Sequence, residues 1–440
     1  MDTQLVGTAH SLQTQGRHRR ISFTYDQQWL ANPAAFPISP EMPLDTGRHE
    51  PAIWKNLPFA FDDAVPDRWG RDLLQAEHRR KARASGQRWE PLDDLGLLLA
   101  VDDTTRQGAL RFRVEGTFVA PPTAQATHHE LSTLRDAAAK FEESGEIDES
   151  VEHLIAVGSS PGGAAPKTWV IGDDGQMWLA KFARISDRGD VSAWEHVATI
   201  LQRQAGISVQ DSRIIRYDPH ESIFLTRRFD RHGDTRIPYQ SFKTMFRLHD
   251  GERKDYATLA REISQISANP PVDGQELFAR AAFGVMVNNI DDHMQNHGLV
   301  RIDNGWRLAP SFDVNPERHG FSDTPLTSED DPANSDLRLL VEHAEDFHLT
   351  RVQAAHRLGQ IAQSVASWAD VARKVGINPD EIRVKSAAFD ERHRQLAHEI
   401  AASSTTSPLV VVDDVRSGDV WVEPHIRGGR KVEGHWRRRG

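Results

Sequence analysis

The sequence predicts an α+β fold of two lobes, the first strand-rich and the second helical, behind a small N-terminal unit. Three observations carry this reading. Helical periodicity dominates from about Tyr256 to Ser403. Ahead of it, a Gly-rich stretch from Gly158 to Gly163 leads into two short apolar strands. Where the helical part is under way, a polar run interrupts it, Asn288-Asn289-Ile290-Asp291-Asp292-His293-Met294-Gln295-Asn296, answered by Ser311-Phe312-Asp313-Val314-Asn315-Pro316.

Composition bounds the class. A chain of 440 residues, 38% of them hydrophobic, can bury a large core and divide into two or three domains. No apolar run reaches the roughly 18 residues of a membrane span, and Met1-Asp2-Thr3-Gln4 lacks a basic stretch leading into an apolar one. A cytoplasmic protein without a membrane partner is therefore expected. The absence of cysteine excludes disulfides, thiol catalysis and thiolate metal sites. A net charge of -11 argues against nucleic-acid binding by the surface as a whole.

Four units are expected: 1–120, 121–250, 251–402 and a basic tail, 403–440. In the first, Ile21, Phe23 and Tyr25 alternate as on a strand, and Pro33, Pro37, Pro40 and Pro43 impose loops after it. A helix is predicted from Phe59 through the basic Arg79-Arg80-Lys81, whose charges read as a solvated face, then a second from Asp93 to Val101 and a strand at Leu110-Arg111-Phe112. Ala120-Pro121-Pro122-Thr123 reads as a linker, followed by an exposed helix from Leu131 to Glu143.

The stretch Val157-Gly158-Ser159-Ser160-Pro161-Gly162-Gly163-Ala164-Ala165-Pro166-Lys167 lets backbone amides approach a ligand closely and cradle phosphate oxygens. The hairpin after it turns at Gly172-Asp173-Asp174-Gly175, and its second strand places Lys181 beside Met177 and Leu179. A lysine there needs an anion, unless the strand is an edge and Lys181 lies in solvent. Glu195, on the next helix, has two readings: it closes a capping box with Ser192, or it pairs with Lys181. Ser222 to Arg231 reads as a strand passing into a hinge, with backbone near Leu225 to Arg227 free for adenine, and Arg228, Asp230 and Arg231 as a structural ion network.

Phosphoryl transfer needs a carboxylate to orient the attacking hydroxyl and oxygen ligands for Mg²⁺. Asp291 and Asn296, five residues apart, repeat the Asp-to-Asn order of a kinase catalytic loop, and Asp313 supplies a further carboxylate. The helix after Asp273, with Leu277, Phe278, Ala281, Ala282, Val285 and Met286 on one face, delivers the polar run into an apolar setting.

With these residues in view, the chain resembles the HipA family of bacterial Ser/Thr kinase toxins. The likeness rests on Ile38-Ser39-Pro40, Met42-Pro43-Leu44, Phe61 to Leu74, Gly158 to Ala164 with Pro166-Lys167, Arg228-Phe229-Asp230-Arg231, Asp291 to Asn296 and Ala309 to Pro316. It implies a bilobal protein-kinase-like fold with a small N-terminal subdomain, a nucleotide lobe and an all-helical C-terminal lobe. It also implies ATP and Mg²⁺ as cofactors, a HipB-type helix-turn-helix antitoxin as partner, DNA contact only through that antitoxin, and an aminoacyl-tRNA synthetase as substrate. Carried over by position, Asp291 is the catalytic base, Asn296 and Asp313 bind Mg²⁺, and Ser160, Gly162, Gly163, Ala164, Lys167, Lys181, Glu195, Leu225 and Arg227 surround ATP. Ser160 is the self-phosphorylated serine, with Ser159 its neighbouring candidate.

Ala165 departs from the family's longer polar residue and Gln295 from its common lysine. Two other readings stand beside the kinase toxin: a small-molecule phosphotransferase, and a catalytically weak corepressor acting with a DNA-binding antitoxin. The tail repeats Val422-Glu423-Pro424-His425-Ile426-Arg427 as Val432-Glu433-Gly434-His435-Trp436-Arg437, and reads as a disordered solubilising segment or a docking segment for RNA or an acidic partner.

Overall fold

The strand predicted around Ile21 spans Arg19–Tyr25 and pairs antiparallel with Gly7–Gln13. The latter is mostly polar and carries no alternation that a sequence reading could use. The computed structural model describes residues 3–13, 19–120, 126–158, 165–302 and 305–406, with strands at 419–422, 425–427, 430–432 and 435–438. Ile21, Phe23 and Tyr25 are buried against Trp29, Ile38, Met42 and Phe61. The Pro-rich loop is pinned to this core by Tyr25, whose hydroxyl donates to the Met42 carbonyl at 2.8 Å and accepts from the Ile38 amide at 3.0 Å.

The single helix expected from Phe59 is two, Phe59–Asp62 and Arg68–Ala84. Pro66 explains the break, because its ring disfavours helical backbone at Val65. Leu110 to Phe112 is irregular rather than a strand, and a short hairpin, Arg113–Val114 with Thr117–Phe118, follows it. The helix Leu131–Ser144, expected to be exposed, buries Leu131, Leu134, Ala137, Ala138 and Phe141. These join Trp69, Leu73 and Leu97 from the first unit and Val170, Trp178 and Ala180 from the hairpin in one core. Helices before the Pro121-Pro122 linker thus share a core with the sheet after it.

That sheet has five strands in the order Ala126–Thr127, Lys167–Ile171, Met177–Lys181, Glu221–Arg227, Ser212–Asp218. The first pair is parallel and the rest antiparallel. The helix Val191–Gln204 leaves the hairpin and packs Trp194, Val197 and Leu201 into the core of the helical lobe. That lobe is built on Tyr256–Ser264, Pro270–Met286 and Arg351–Ala366, with Glu391–Thr406 lying along the last. The long helix expected from Asp380 to Ala402 is interrupted between Lys385 and Glu391. A three-stranded sheet, Tyr239–Ser241, Gly298–Ile302 and Gly305–Leu308, sits at the lobe's edge. No helix among the described residues is long and apolar enough to cross a membrane.

In the tail, read as a disordered solubilising segment or a docking segment, the described strands Asp419–Val422 and His435–Arg438 pair antiparallel, as do His425–Arg427 and Arg430–Val432.

The expected ion network is present and buried. Arg228 and Asp230 are 5% and 3% exposed, so this is no surface pair. Arg228 donates to the Thr105 carbonyl at 2.9 Å and the Arg106 carbonyl at 2.6 Å, while Asp230 accepts from the Gly108 amide at 2.6 Å. Arg231 reaches the carbonyls of Gly108 and Arg106 at 3.0 and 2.7 Å. Burial, and then the neighbouring Arg228, push the Arg231 pKa down to about 9. For Asp230, burial opposes ionisation, but Arg228 and Arg231 overcome it and hold the carboxyl below its ordinary range. Asp230→Ala would leave two buried guanidinium groups uncompensated. It is expected to destabilise the protein by about 3–5 kcal/mol in urea unfolding, whereas Arg213→Ala, exposed on the outer strand over the Trp178 ring, should cost no more than about 1 kcal/mol.

Candidate active site

Strand pairing places Lys181 directly across from Lys167 on one side and from Phe224 on the other. Lys181 is 8% exposed, which excludes the solvent-edge alternative. Its Nζ lies 2.6 Å from Glu195 Oε1 and 2.6 Å from Asp313 Oδ1. The capping-box reading of Glu195 falls away, because Asp190, one turn earlier, caps the helix by accepting from the Ala193 amide. Glu195 is thereby left to face the sheet.

Asp313 reaches this point through an unusual backbone. Its φ of +59° lies in the left-handed region, which costs a non-glycine residue free energy and persists where surroundings enforce it. The enforcing contacts are local. Ser311 donates its amide to the Ser208 carbonyl at 2.7 Å, and its hydroxyl accepts from Gln202 at 2.7 Å. Gln202 lies on the helix that carries Glu195, so one element positions both carboxylates that hold Lys181.

The polar run follows the end of helix Pro270–Met286, at Asn288, whose φ of +50° turns the chain. Asn289 bridges to Pro316 and accepts from the Asn315 amide at 3.1 Å, and Asn288 donates to the Glu317 carbonyl at 2.6 Å. These bonds clamp the Asp291 and Asp313 segments together. Asn296 is 8% exposed and donates Nδ2 to the Asp291 carbonyl at 2.7 Å, closing the loop on itself.

The two adjacent aspartates have opposite surroundings. The Asp291 side chain is 67% exposed, with His293 Nε2 at 3.7 Å. Asp292 is 5% exposed, accepts from the Tyr256 hydroxyl at 2.7 Å and lies 2.8 Å from His297 Nε2. Asp292 anchors the loop and Asp291 is presented by it. The helix assigned to Asp273 likewise differs in detail: it starts at Pro270, and Asp273 is buried against Ser267 and Arg307 rather than capping.

These groups line a cleft of about 580 Å³, within the range of small-molecule sites. Lys167, Lys181, Glu195, Asp291, Asn296 and Asp313 all border it, as does Arg227. Leu225 does not. It lies on the interior strand Glu221–Arg227 with its side chain in the core, and its neighbours Phe224 and Thr226 face the cleft instead. Arg227 is engaged by Asp174 at 3.1 Å and Asp211 at 3.5 Å. Ser159, Ser160, Gly162, Gly163 and Ala164 lie outside the described residues.

Some lining groups were missed. Phe229 stacks on Phe312, with centroids 5.6 Å apart, at one wall. Asp63 and Asp67 come from the first unit, which offered no catalytic spacing. Asp63 accepts from the Ser241 amide at 2.8 Å, and burial raises its pKa to about 6. Gln295 donates to Asp67 at 3.4 Å. The Asp62-Asp63 pair after an apolar run is the one sequence signal that pointed there.

Electrostatically the cleft is poised. Burial opposes the charge on Lys181, but Asp313 and Glu195 more than offset it and raise its pKa. Burial works against Asp313 too, and Lys181 then Lys167 hold its carboxyl well below the ordinary range. Glu195 is shifted upward, because burial outweighs Lys181 and Asp313 adds repulsion. For Lys167, burial followed by repulsion from Lys181 lowers the pKa to about 8.

Residues 159–383 match the family model described as HipA-like C-terminal domain, and residues 1–113 match the HipA N-terminal domain. The chain belongs to the HipA-like family. Among curated relatives of this HipA-like protein is "Putative kinase Y4mE" of Sinorhizobium fredii, 25% identical over 328 residues, covering 68% of this chain and 73% of that one. Among solved structures, the HipA of Shewanella oneidensis MR-1, in complex with HipB and operator DNA, matches with a TM-score of 0.60 at 14% identity, over 90% of this chain and 97% of that one. The Helicobacter pylori proinflammatory kinase CtkA matches over 56% of this chain and 94% of its own, with a TM-score of 0.45 at 15% identity. The HipA-like chain is accordingly of kinase or phosphotransferase type, with the HipA fold.

The two aspartates separate in a stability measurement. Asp291→Ala should stay within about 0.5 kcal/mol of the parent, because it removes an exposed side chain. Asp292→Ala strips both Tyr256 and His297 of a buried partner and should cost about 3–5 kcal/mol. Urea unfolding of the two variants decides, and equal stabilities would remove Asp292 from the anchoring role.

Proposed function

We propose that this chain is an ATP-dependent serine/threonine protein kinase and the toxin of a toxin–antitoxin pair. The observation that carries the reading is Lys181 held between Glu195 and Asp313 at the wall of a nucleotide-sized cleft. A kinase uses this lysine, its helix-borne glutamate and a metal-binding aspartate together.

The donor set suits Mg²⁺-ATP. With Nδ2 of Asn296 engaged by the Asp291 carbonyl, its Oδ1 and the Asp313 carboxylate are hard oxygen ligands of the kind Mg²⁺ takes. Bound Mg²⁺-ATP supplies the phosphoryl group and the cation that neutralises its oxygens. Lys181 and Lys167 bind phosphate oxygens, and Glu195 keeps Lys181 aimed. Thr226, the backbone near Arg227 and the Phe229 wall lie on the side proposed for adenine. Asp291, exposed on an anchored loop, accepts the proton of the attacking serine or threonine hydroxyl.

Gly162, Gly163 and Ala164 are proposed to cradle the phosphates through their amides. Ser160, with Ser159 beside it, is the proposed site of self-phosphorylation. A phosphate there adds about -1.5 to -2 of charge where ATP phosphates bind, which switches the enzyme off. The Shewanella oneidensis HipA was solved with HipB and operator DNA, and the likeness spans the N-terminal unit as well as both lobes. This supports an antitoxin partner that contacts DNA in its place. An aminoacyl-tRNA synthetase is the proposed protein substrate, and the cytoplasm the proposed location.

Incubation with Mg²⁺-ATP followed by peptide mass spectrometry tests the reading. The expected result is phosphate on the peptide carrying Ser159 and Ser160, absent in Asp313→Ala, and a phosphorylated synthetase in lysate. Phosphate on a small hydroxyl compound but on no protein would favour the phosphotransferase instead. Asp291→Ala should lower kcat by about 10²–10⁴-fold with nucleotide affinity retained.

Lys167 adds a pH signature. Its pKa of about 8 in the free protein means that it is charged below pH 8 and neutral above. Anionic nucleotide favours the charged form, so affinity should fall as pH rises through 8. Lys167→Met should bind more weakly at pH 7 and show a flatter profile, as measured by calorimetric titration with ATP.

A further inference from the structure

Beyond the edge strand Ala126–Thr127 of the five-stranded sheet, and outside the cleft lining, three potential metal ligands converge. His128 Nε2 lies 3.3 Å from Asp173 Oδ1, and His129 Nε2 lies 3.9 Å from the same oxygen. The three ligand atoms are all within 4.8 Å of one another, and the two imidazole rings lie with centroids 3.9 Å apart at an interplanar angle of 45°. This is the one such His, Asp and Glu group of three or more among the described residues.

The convergence follows from the sheet. Thr127 pairs in parallel register with Ile171, so the residues just beyond each strand leave the sheet side by side. On one side, a capping box between Thr127 and Glu130 winds His128–Glu130 into a tight turn, and both Nε2 atoms come within reach of the Asp173 carboxylate. On the other, the Gly172 amide donates to the Gln176 carbonyl at 3.0 Å and Gly175 to Gly172 at 2.9 Å, fixing the hairpin turn that carries Asp173. Two segments 45 residues apart, each locally braced, therefore present three ligands without rearranging the backbone.

We propose that His128, His129 and Asp173 bind a transition-metal dication of the Zn²⁺ class. Zn–N and Zn–O bonds of about 2.0–2.1 Å in a tetrahedron put ligand atoms about 3.4 Å apart, and the 3.3 and 3.9 Å separations need only small side-chain shifts. Two imidazoles and one carboxylate suit Zn²⁺, Co²⁺, Ni²⁺ or Cu²⁺ rather than Mg²⁺ or Ca²⁺, which take oxygen ligands. His129 and Asp173 are each 75% exposed, so water completes the coordination. The cation staples the hairpin turn to the start of helix Leu131–Ser144. The adjacent Asp174 already accepts from Trp178 at 3.2 Å and from Arg227 at 3.1 Å, so the staple braces the hairpin that carries Lys181.

Full-length protein freed of metal with EDTA and titrated with Co²⁺ and Zn²⁺ tests this. Co²⁺ is expected to produce the visible absorption of a four- or five-coordinate site, displaced by Zn²⁺. His128→Ala should abolish that absorption, and Asp173→Asn should weaken Zn²⁺ binding in calorimetry by about tenfold or more. Asp313→Asn should leave the signal intact, which separates this site from the cleft. Circular dichroism confirms the folded state of each variant, and Asp173→Asn alone decides if His128→Ala misfolds. Unchanged titrations in His128→Ala and Asp173→Asn, or Zn²⁺ bound no tighter than Mg²⁺, would overturn the assignment.

Discussion

The cleft depends on one buried cation. Lys181 must be taken out of water to sit where it does, and an ammonium group so placed needs close anions to remain charged. Glu195 and Asp313, both at 2.6 Å, supply them from a helix and from a loop more than a hundred residues further on. The sheet, the helix Val191–Gln204 and the Asp313 segment are thereby fixed to one point. Two carboxylates around one ammonium leave a negative excess, and Lys167, paired across the strand, offsets it. A cluster near neutrality whose members are shifted in opposite directions is costly as a stability device. It is the arrangement expected where anions and cations must be exchanged for those of a ligand.

A second network decides what the cleft is made of. Arg228, Asp230 and Arg231 join the strand that leaves the sheet to the 104–108 segment of the first unit. Guanidinium groups suit this task because each can meet several backbone carbonyls at once. The first unit is consequently no appendage. Asp63 reaches Ser241 from it, Gln295 of the polar loop reaches Asp67 in it, and Trp69 donates to the Lys167 carbonyl at 3.1 Å. Any rocking of the sheet against the helical lobe must carry this unit along or break these bonds.

What was legible in the sequence was whatever rests on period and polarity. Alternation at Ile21, Phe23 and Tyr25 and at Trp178 and Ala180 marks strands because both have a buried face. Asp291, Asn296 and Asp313 could be singled out because polar residues between apolar elements need a reason. Apart from the helix break at Pro66, which is local, the errors arise because tertiary partners are invisible in a local window. Leu131 to Phe141 reads as a surface helix until the sheet is laid on it, and Gly7–Gln13 is a strand only because Arg19–Tyr25 offers an edge. Strand alternation sends the Leu225 side chain inward and that of Thr226 to the cleft, which a reading of backbone availability near Leu225 to Arg227 does not address. Glu195 could not be assigned without knowing that Asp190 takes the cap.

The pair Asp291 and Asp292 shows how far neighbouring identical residues can diverge. Both side chains leave the same loop, yet one meets solvent and the other meets Tyr256 and His297 in the interior. The buried member makes the loop rigid, since moving it would strand a carboxylate, a phenol and an imidazole together. Rigidity there is what lets an exposed carboxylate, whose side-chain neighbour is His293 at 3.7 Å, be held at a fixed position. Asn296 completes the device by bonding the Asp291 carbonyl, so the backbone on both sides of Asp291 is restrained while its carboxylate is not. Gln295 extends the same restraint outward to Asp67. A lysine at that position would bring a positive charge to the cleft mouth, whereas the neutral amide joins the loop to the first unit by a weaker hydrogen bond. In this chain the positive potential facing a bound anion therefore comes from the sheet side, through Lys167 and Lys181, and the loop side contributes alignment.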